Sequence, residues 1–317
     1  MSRISPVPSG HPTFMDVPRC LDLNALEADI AIIGVPYGVP YHMAGATQIS
    51  STAPGTVREQ SMRFPRFLTH YDYDFGGDIF NGKNVTIVDC GDVEMTPGAY
   101  EENSRATTQA IQAILDRGAV PIVLGGDHAI PIPVMRAYEQ HGPIFVVQLD
   151  EHLDWREEVN GVREGLSSPM RRASEMGWVS GMAQIGLRAV GSARQGEVDA
   201  AVAYGSILVG AEELHRDGVE AVLERIPAGQ RYYITFDADG LDPTIAPGVL
   251  TPGFGGIEYY EASNLLRGLA RRGTIVGMDF VEIVPHLDVN NVTSLVAARL
   301  ILNLIGEMAW SGQIGQA

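Results

Sequence analysis

Eight short apolar segments, rich in β-branched residues and without polar alternation, recur along the whole chain: 29–34, 85–89, 120–124, 144–149, 183–187, 207–209, 232–236 and 274–280. A strand with one wet face alternates; a strand covered on both faces does not, so these segments predict parallel strands buried on both sides. Between many of them lie helix-like patterns, at 104–117, 132–140, 168–176, 217–225, 258–272 and 293–308. Strand–helix alternation over the full length predicts the α/β class: a single-domain three-layer α/β/α sandwich around a central, mainly parallel eight-stranded sheet. No Gly/Ser or Pro-rich linker, repeat or low-complexity run divides the chain, so residues 29–317 read as one domain. Residues 1–28 read as an N-terminal arm, whose polar, Pro-rich start suits an arm or a packing extension.

The residues just beyond three of these strands are chemically unusual. The run 144–149 leads into Asp150-Glu151-His152-Leu153-Asp154, where three metal-competent side chains fall at every second residue. On an extended backbone that spacing puts them on one side. The run 232–236 leads into Asp237-Ala238-Asp239, and 120–124 into Gly125-Gly126-Asp127-His128. Taken singly, each has a plainer reading: Asp127 as a cap of the next helix, Asp237 and Asp239 as a turn-forming pair, Asp242-Pro243 as turn chemistry. Taken together they share one place, because open parallel sheets bind ligands beyond the carboxyl ends of their strands.

His128, Asp150, His152, Asp154, Asp237 and Asp239 offer imidazole and carboxylate but no thiolate. That donor set suits Mn²⁺ and can take Ni²⁺, Co²⁺ or Zn²⁺. Two divalent ions would neutralise the four carboxylates, which without metal would raise one another's pKa values. Ions roughly 3.5–4 Å apart sharing a hydroxide would supply a nucleophile at neutral pH, aimed at a carbonyl-like or amidine-like carbon. The cofactor expectation is therefore two divalent metal ions, Mn²⁺ first and Ni²⁺ next.

Cys20 and Cys90 are too few for a disulfide framework or a Cys-based zinc site, and both are read as reduced. The net charge of −17 disfavours nucleic acid and anionic membranes as partners. It would favour cationic ligands, although solubility explains it equally well. No uninterrupted apolar run of membrane-spanning length and no signal-like start is read, so a cytoplasmic location is expected.

These motifs resemble those of the ureohydrolase family of arginases, agmatinases and guanidinobutyrases. Gly125-Gly126-Asp127-His128 is similar to its first signature, Asp150-Glu151-His152-Leu153-Asp154 to its Asp-Ala-His-x-Asp signature, and Thr235-Phe236-Asp237-Ala238-Asp239-Gly240-Leu241-Asp242-Pro243 to its third. The similarity runs from Ile33-Gly34-Val35-Pro36 to Asp279-Phe280-Val281-Glu282. It implies a dinuclear, usually Mn²⁺, centre. His128, Asp150, Asp154 and Asp237 would hold or bridge one ion, and His152, Asp150, Asp237 and Asp239 would complete the pair. It further implies hydrolysis of a guanidinium group to urea and an amine, with Glu282 gripping the guanidinium by a bidentate fork. Glu282 and Asp154 are the expected catalytic residues, Asp154 as the proton shuttle to the departing amine. Trimers or hexamers are implied as well.

The chain also departs from the family pattern. Glu151 stands where a small residue, usually Ala, is expected, and it must either point away from the metals or reshape the site. The Ser-His-Gly-Thr-Pro-x-Arg-Arg segment of agmatinase-like relatives corresponds here to Gly165-Leu166-Ser167-Ser168-Pro169-Met170-Arg171-Arg172. Leu166 replaces the histidine and cannot exchange protons. His286 and His42 are candidate replacements, each equally readable as a loop histidine. Ser167 and Ser168 are candidate hydrogen-bond partners of a substrate nitrogen. Trp155 is either a π wall for a cation or a packing residue.

The primary expectation is a dinuclear hydrolase of a small cationic guanidino compound, agmatine or 4-guanidinobutanoate by default. A variant acts on a biguanide such as metformin, or on guanidine, with nickel and a paralogous subunit in a hetero-oligomer. The competing class is a catalytically weak structural partner of an active paralogue.

Overall fold

Strand order explains why sequence-distant acids can meet. A computed structural model describes residues 4–5, 11–36, 38 and 49–315, and His42 lies outside them. The eight expected segments form β2 (Ile30–Val35), β3 (Ile87–Val93), β4 (Val120–Gly125), β5 (Ile144–Leu149), β6 (Val179–Leu187), β7 (Ile207–Gly210), β8 (Arg231–Asp237) and β9 (Thr274–Val281), all paired in parallel. A two-residue strand, β1 (Ile4–Ser5), adds antiparallel to β3, giving the order β1-β3-β2-β4-β9-β8-β5-β6-β7. The four strands β4, β9, β8 and β5 are therefore neighbours at the centre of the sheet.

Burial on both faces accounts for the lack of alternation. Ile30 and Ile32 of β2 pack into one apolar layer and Ala31 and Ile33 into the other, all four fully buried. On one face, the helices Tyr259–Arg272 and Val292–Trp310 contribute Leu265, Leu269, Leu300 and Leu304. On the other, the helices Tyr100–Asp116 and Pro131–Arg136 contribute Ala110, Ile111, Ile114 and Ile132. This is the three-layer α/β/α sandwich. The helical pattern at 217–225 resolves into the end of one short helix, Ala211–Asp217, and a second, Val219–Arg225. They break at Gly218, whose φ of +82° a helix cannot use. Helices at Ala53–Ser61 and Gln195–Tyr204 have no readable apolar stripe and were not expected.

The helix Val292–Trp310 is long and apolar enough to cross a membrane, but 78% of its apolar window is buried inside the fold. Arg299, Asn303 and Glu307, one turn apart, tie it to its neighbours: Arg299 to Asp72 and Asp74, Asn303 to Ser263, and Glu307 to Arg267 and Arg271. It is a core helix. Residues 11–28 pack onto the sheet edge, with Phe14 and Met15 buried and the Phe14 amide donating to Asp89. Asp89 also receives the fully buried Arg58 guanidinium, which Asp92 shares.

Candidate metal centre

The carboxyl ends of the four central strands build one acidic floor. Asp127 and His128 follow β4, Asp150 to Asp154 follow β5, Asp237 closes β8 and leads to Asp239, and Glu282 follows β9. His128 Nδ1 lies 3.0 Å from one carboxylate oxygen each of Asp150, Asp154 and Asp237. His152 Nδ1 lies 3.2 Å from Asp239 and 3.4 Å from the second oxygen of Asp150. Two ligand groups result, His128–Asp150–Asp154 and Asp150–His152–Asp239, each with its atoms within 4.8 Å of one another. Asp150 belongs to both.

Backbone geometry fixes these positions. The Asp150 and Asp237 carboxylates accept the amides two residues on, from His152 at 2.6 Å and Asp239 at 2.8 Å. Asp154 and Glu282 both adopt left-handed backbone, with φ of +56° and +61°. Such a conformation is uncommon outside glycine and asparagine and is tolerated where surrounding contacts enforce it. Here Arg171 donates its amide to the Asp154 carbonyl. Glu282 bonds twice to the β4 turn: its amide donates to the Gly126 carbonyl, and its carboxylate accepts from the His128 amide at 2.8 Å. Gly240 closes against the Asp150 backbone, where a Cβ would sit 2.8 Å from its nitrogen.

A second layer of buried polar groups determines the state of His128. Its Nε2 lies 2.9 Å from Thr235 Oγ1, and that hydroxyl gives its hydrogen to Asp279 at 2.8 Å. Thr235 can then only accept, so His128 carries its proton on Nε2 and presents an Nδ1 lone pair to three carboxylates. Tyr233 donates to the other Asp279 oxygen. On the opposite side Gln148 Nε2 donates to Asp150 at 2.6 Å and Asp154 at 3.1 Å, and is itself held through Gln184 and the Trp155 indole. Lone pairs aimed at one point in a dry site require a cation between them, and hydrogen bonds to outer-layer groups orient such ligands. The donor set fits divalent metal.

The electrostatics agree. Burial, then the charge of Asp150, pushes Asp154 up to about 7. Burial, then the charge of Asp239, raises Asp237. Burial and Asp127 push Glu282 up to about 8. Burial alone would lower both histidines, yet Asp150 and Asp154 raise His128, while Asp150 and Asp239 push His152 up to about 12. Asp150 moves down despite burial, because His128 and His152 both face it. Such displacement in a cleft marks a site built to hold positive charge.

Above the floor lies a cavity of about 310 Å³, bordered by His128, His152, Asp154, Asp237, Asp239 and Glu282 below and by Arg156, Val159, Leu166, Ser167, Gly191, Leu250 and Thr251 around it. Glu282, Ser167 and all metal candidates except the buried Asp150 thus border it. Ser168 and Trp155 do not. Ser168 is fully buried at the start of a helix, and the Trp155 indole is buried against Tyr204, its N–H spent on Gln184. The structure therefore gives Trp155 a supporting place in the core. Leu166 occupies the cavity wall, and His286 sits exposed on a turn outside the lining.

Glu151, in the bend beyond β5, does not border the cavity. Its carboxylate lies 3.4 Å from Arg188 and packs on Gly253, where any Cβ would collide with it. Gly253 thus makes room for the larger side chain at 151. Asp242 takes the turn role expected of it, accepting from Thr244, Gly255 and Gly256. Sequence reasoning missed Thr235, Asp279, Gln148 and Arg156. The first three sit inside apolar strands, where a polar residue without apparent purpose was the available signal.

The arginase family model matches residues 28–306. The guanidinobutyrase of Pseudomonas aeruginosa is 31% identical, covering 93% of this chain and 92% of its own. The guanidinopropionase of the same organism is 33% identical, covering 96% and 93%. The solved structure of the proclavaminate amidinohydrolase of Streptomyces clavuligerus superposes with a TM-score of 0.82 at 29% identity, covering 97% of this chain and 100% of that one.

Proposed function

The chain belongs to the arginase family, whose members hydrolyse C–N bonds, and we propose that it releases urea from a small cationic guanidino compound. One observation carries the reading. Four carboxylates and two imidazoles converge on a cavity floor, and a further buried carboxylate, Glu282, borders the same cavity.

His128, Asp150, Asp154 and Asp237 would hold one divalent ion, and His152, Asp150, Asp237 and Asp239 the other. When bound, the ions neutralise the floor and lower the pKa of water enough for attack at neutral pH. Glu282 accepts the guanidinium by charge-assisted hydrogen bonds and orients its carbon above the floor. Its backbone anchor to the His128 amide fixes that orientation. Asp154, which borders the cavity beside the reacting carbon's place, takes a proton from the attacking water and delivers it to the departing amine nitrogen. Leu166 leaves that task to Asp154, since it contributes only an apolar wall.

Mn²⁺ is the proposed ion and Ni²⁺ the second choice. The test is urea release from a panel of guanidino compounds with the chain loaded separately with each ion. Urea from at least one compound, abolished by chelation, is expected. Full metal occupancy without urea from any compound would instead favour a structural subunit.

A further inference from the structure

The two ligand groups of the floor are backed unequally. Gln148 is fully buried on β5, and its amide nitrogen donates to Oδ2 of Asp150 at 2.6 Å and to Oδ2 of Asp154 at 3.1 Å. These are the same two oxygens that lie 3.0 Å from His128 Nδ1. The other Asp150 oxygen, Oδ1, faces the His152 ring and accepts the His152 amide instead. The direction of the Gln148 amide is set from behind. Its oxygen accepts from Gln184 Nε2, which also donates to the Leu153 carbonyl at 2.7 Å. Gln184 Oε1 accepts the Trp155 indole N–H at 2.7 Å. A carbonyl can only accept and an indole N–H can only donate, so Gln184 has one orientation and Gln148 inherits it. The Ser206 hydroxyl, 3.0 Å from Gln184 Oε1, could serve either orientation.

Resting on the reading that the floor holds two divalent ions, we propose that Trp155, Gln184 and Gln148 form a one-way amide relay. It positions the ligands of the His128-side ion rather than those of its neighbour. With two N–H groups, Gln148 gives one to each carboxylate and holds two anionic oxygens side by side that would otherwise repel each other. Turned round, the same side chain would present its carbonyl oxygen to both carboxylates and drive them apart. A glutamine suits the task because it carries donor and acceptor at one end without charge, so orientation passes along the row. All three are positioning residues: Gln148 holds the ligands, and Gln184 and Trp155 act through Gln148. Trp155 thus bears on metal holding from outside the cavity.

The test is calorimetric titration of the metal-stripped full chain with Mn²⁺, which reads each ion separately and needs no turnover. The native chain should show two binding steps. His152→Ala, which leaves the His128 group intact, identifies the step belonging to that group. Gln148→Leu should weaken that step by about 10- to 100-fold, the usual cost of losing an outer hydrogen bond to a metal ligand, and the other by less than about threefold. Gln184→Glu has nearly the same shape but cannot donate to Gln148, whose amide then turns round, so it should weaken the same step by a similar factor. Trp155→Phe leaves the Leu153 carbonyl to direct Gln184 and should cost that step about fivefold, with the other step unmoved. Equal weakening of both steps, the mark of a merely loosened core, overturns the proposal, and so do unchanged affinities. Should a glutamine variant fail to fold, Trp155→Phe, whose ring still packs on Tyr204, decides by the same two criteria. A native chain that takes up fewer than two ions overturns the two-ion reading itself.

Discussion

The floor and the wall of the cavity are built on different principles. The floor rises from four adjacent strand ends, and its side chains, apart from the partly exposed His152, are buried, held by backbone amides and backed by Thr235, Asp279 and Gln148. The wall comes from the connections between the strands and presents Arg156, Val159, Leu166 and Leu250. Loops tolerate change that a buried parallel sheet does not. The chain's departures from its family's pattern fall accordingly. Leu166 lies in the wall, and Glu151, although next to the floor, faces away from it towards Arg188. The floor carries the candidate metal ligands, and the wall borders the space left above them.

Four outcomes bear on that contrast, in descending order of effect. Asp150→Ala removes the carboxylate shared by both ligand groups, so metal retention should disappear and kcat fall by about a thousandfold or more. Elemental analysis of the purified variant and a urea assay check this. Glu282→Gln should keep the metal while raising KM and lowering kcat, with kcat/KM down by about 100-fold, since it weakens a desolvated charge pair. Unchanged constants would remove Glu282 from its role.

The third outcome concerns pH. Without metal, Asp154 at about 7 and Glu282 at about 8 stay protonated in the folded chain where the unfolded chain has already ionised. Their penalty therefore grows from the ordinary carboxylate range up to about pH 8. The extra stability from His152, pushed up to about 12, is complete below its ordinary 6.5 and is lost as pH rises towards 12. Both signs agree, so the chelated protein should melt several degrees lower at about pH 8.5 than at about pH 6. With metal the trend should reverse, because the ligands bind deprotonated. Melting curves with and without chelator decide it. The smallest effect belongs to the wall: Leu166→Ala should leave metal content intact and change kcat by less than about threefold, with KM absorbing the rest. A large loss of kcat would place Leu166 in the chemistry.

Much of this is legible in the residue order alone. All eight parallel strands appear as unalternating apolar runs, because burial on both faces favours apolar side chains on each, with Gln148, Thr235 and Asp279 as buried exceptions. The six metal candidates stand out only together, since a single strand-end motif of this kind reads as readily as a cap or a turn. The remainder is conformational or depends on contact. Nothing in the residue order predicts the left-handed backbone of Asp154 and Glu282, which arises from hydrogen bonds to Arg171 and Gly126. Trp155 stands beside the metal motif in sequence, yet Gln184 of β6 and Tyr204 of the neighbouring helix draw its ring into the core. Arg156, by contrast, has a place that only the cavity reveals. The helices at Ala53–Ser61 and Gln195–Tyr204 escape notice because they are rich in small and polar residues and show little apolar stripe.

Metal stoichiometry measured together with urea release puts the two-ion hydrolase at greatest risk. Purified chain titrated with Mn²⁺ or Ni²⁺ should take up two ions, and urea production from a guanidino substrate should rise with occupancy and vanish on chelation. Hydrolysis that persists unchanged in the chelated chain, or a chain that binds no divalent ion, would refute it.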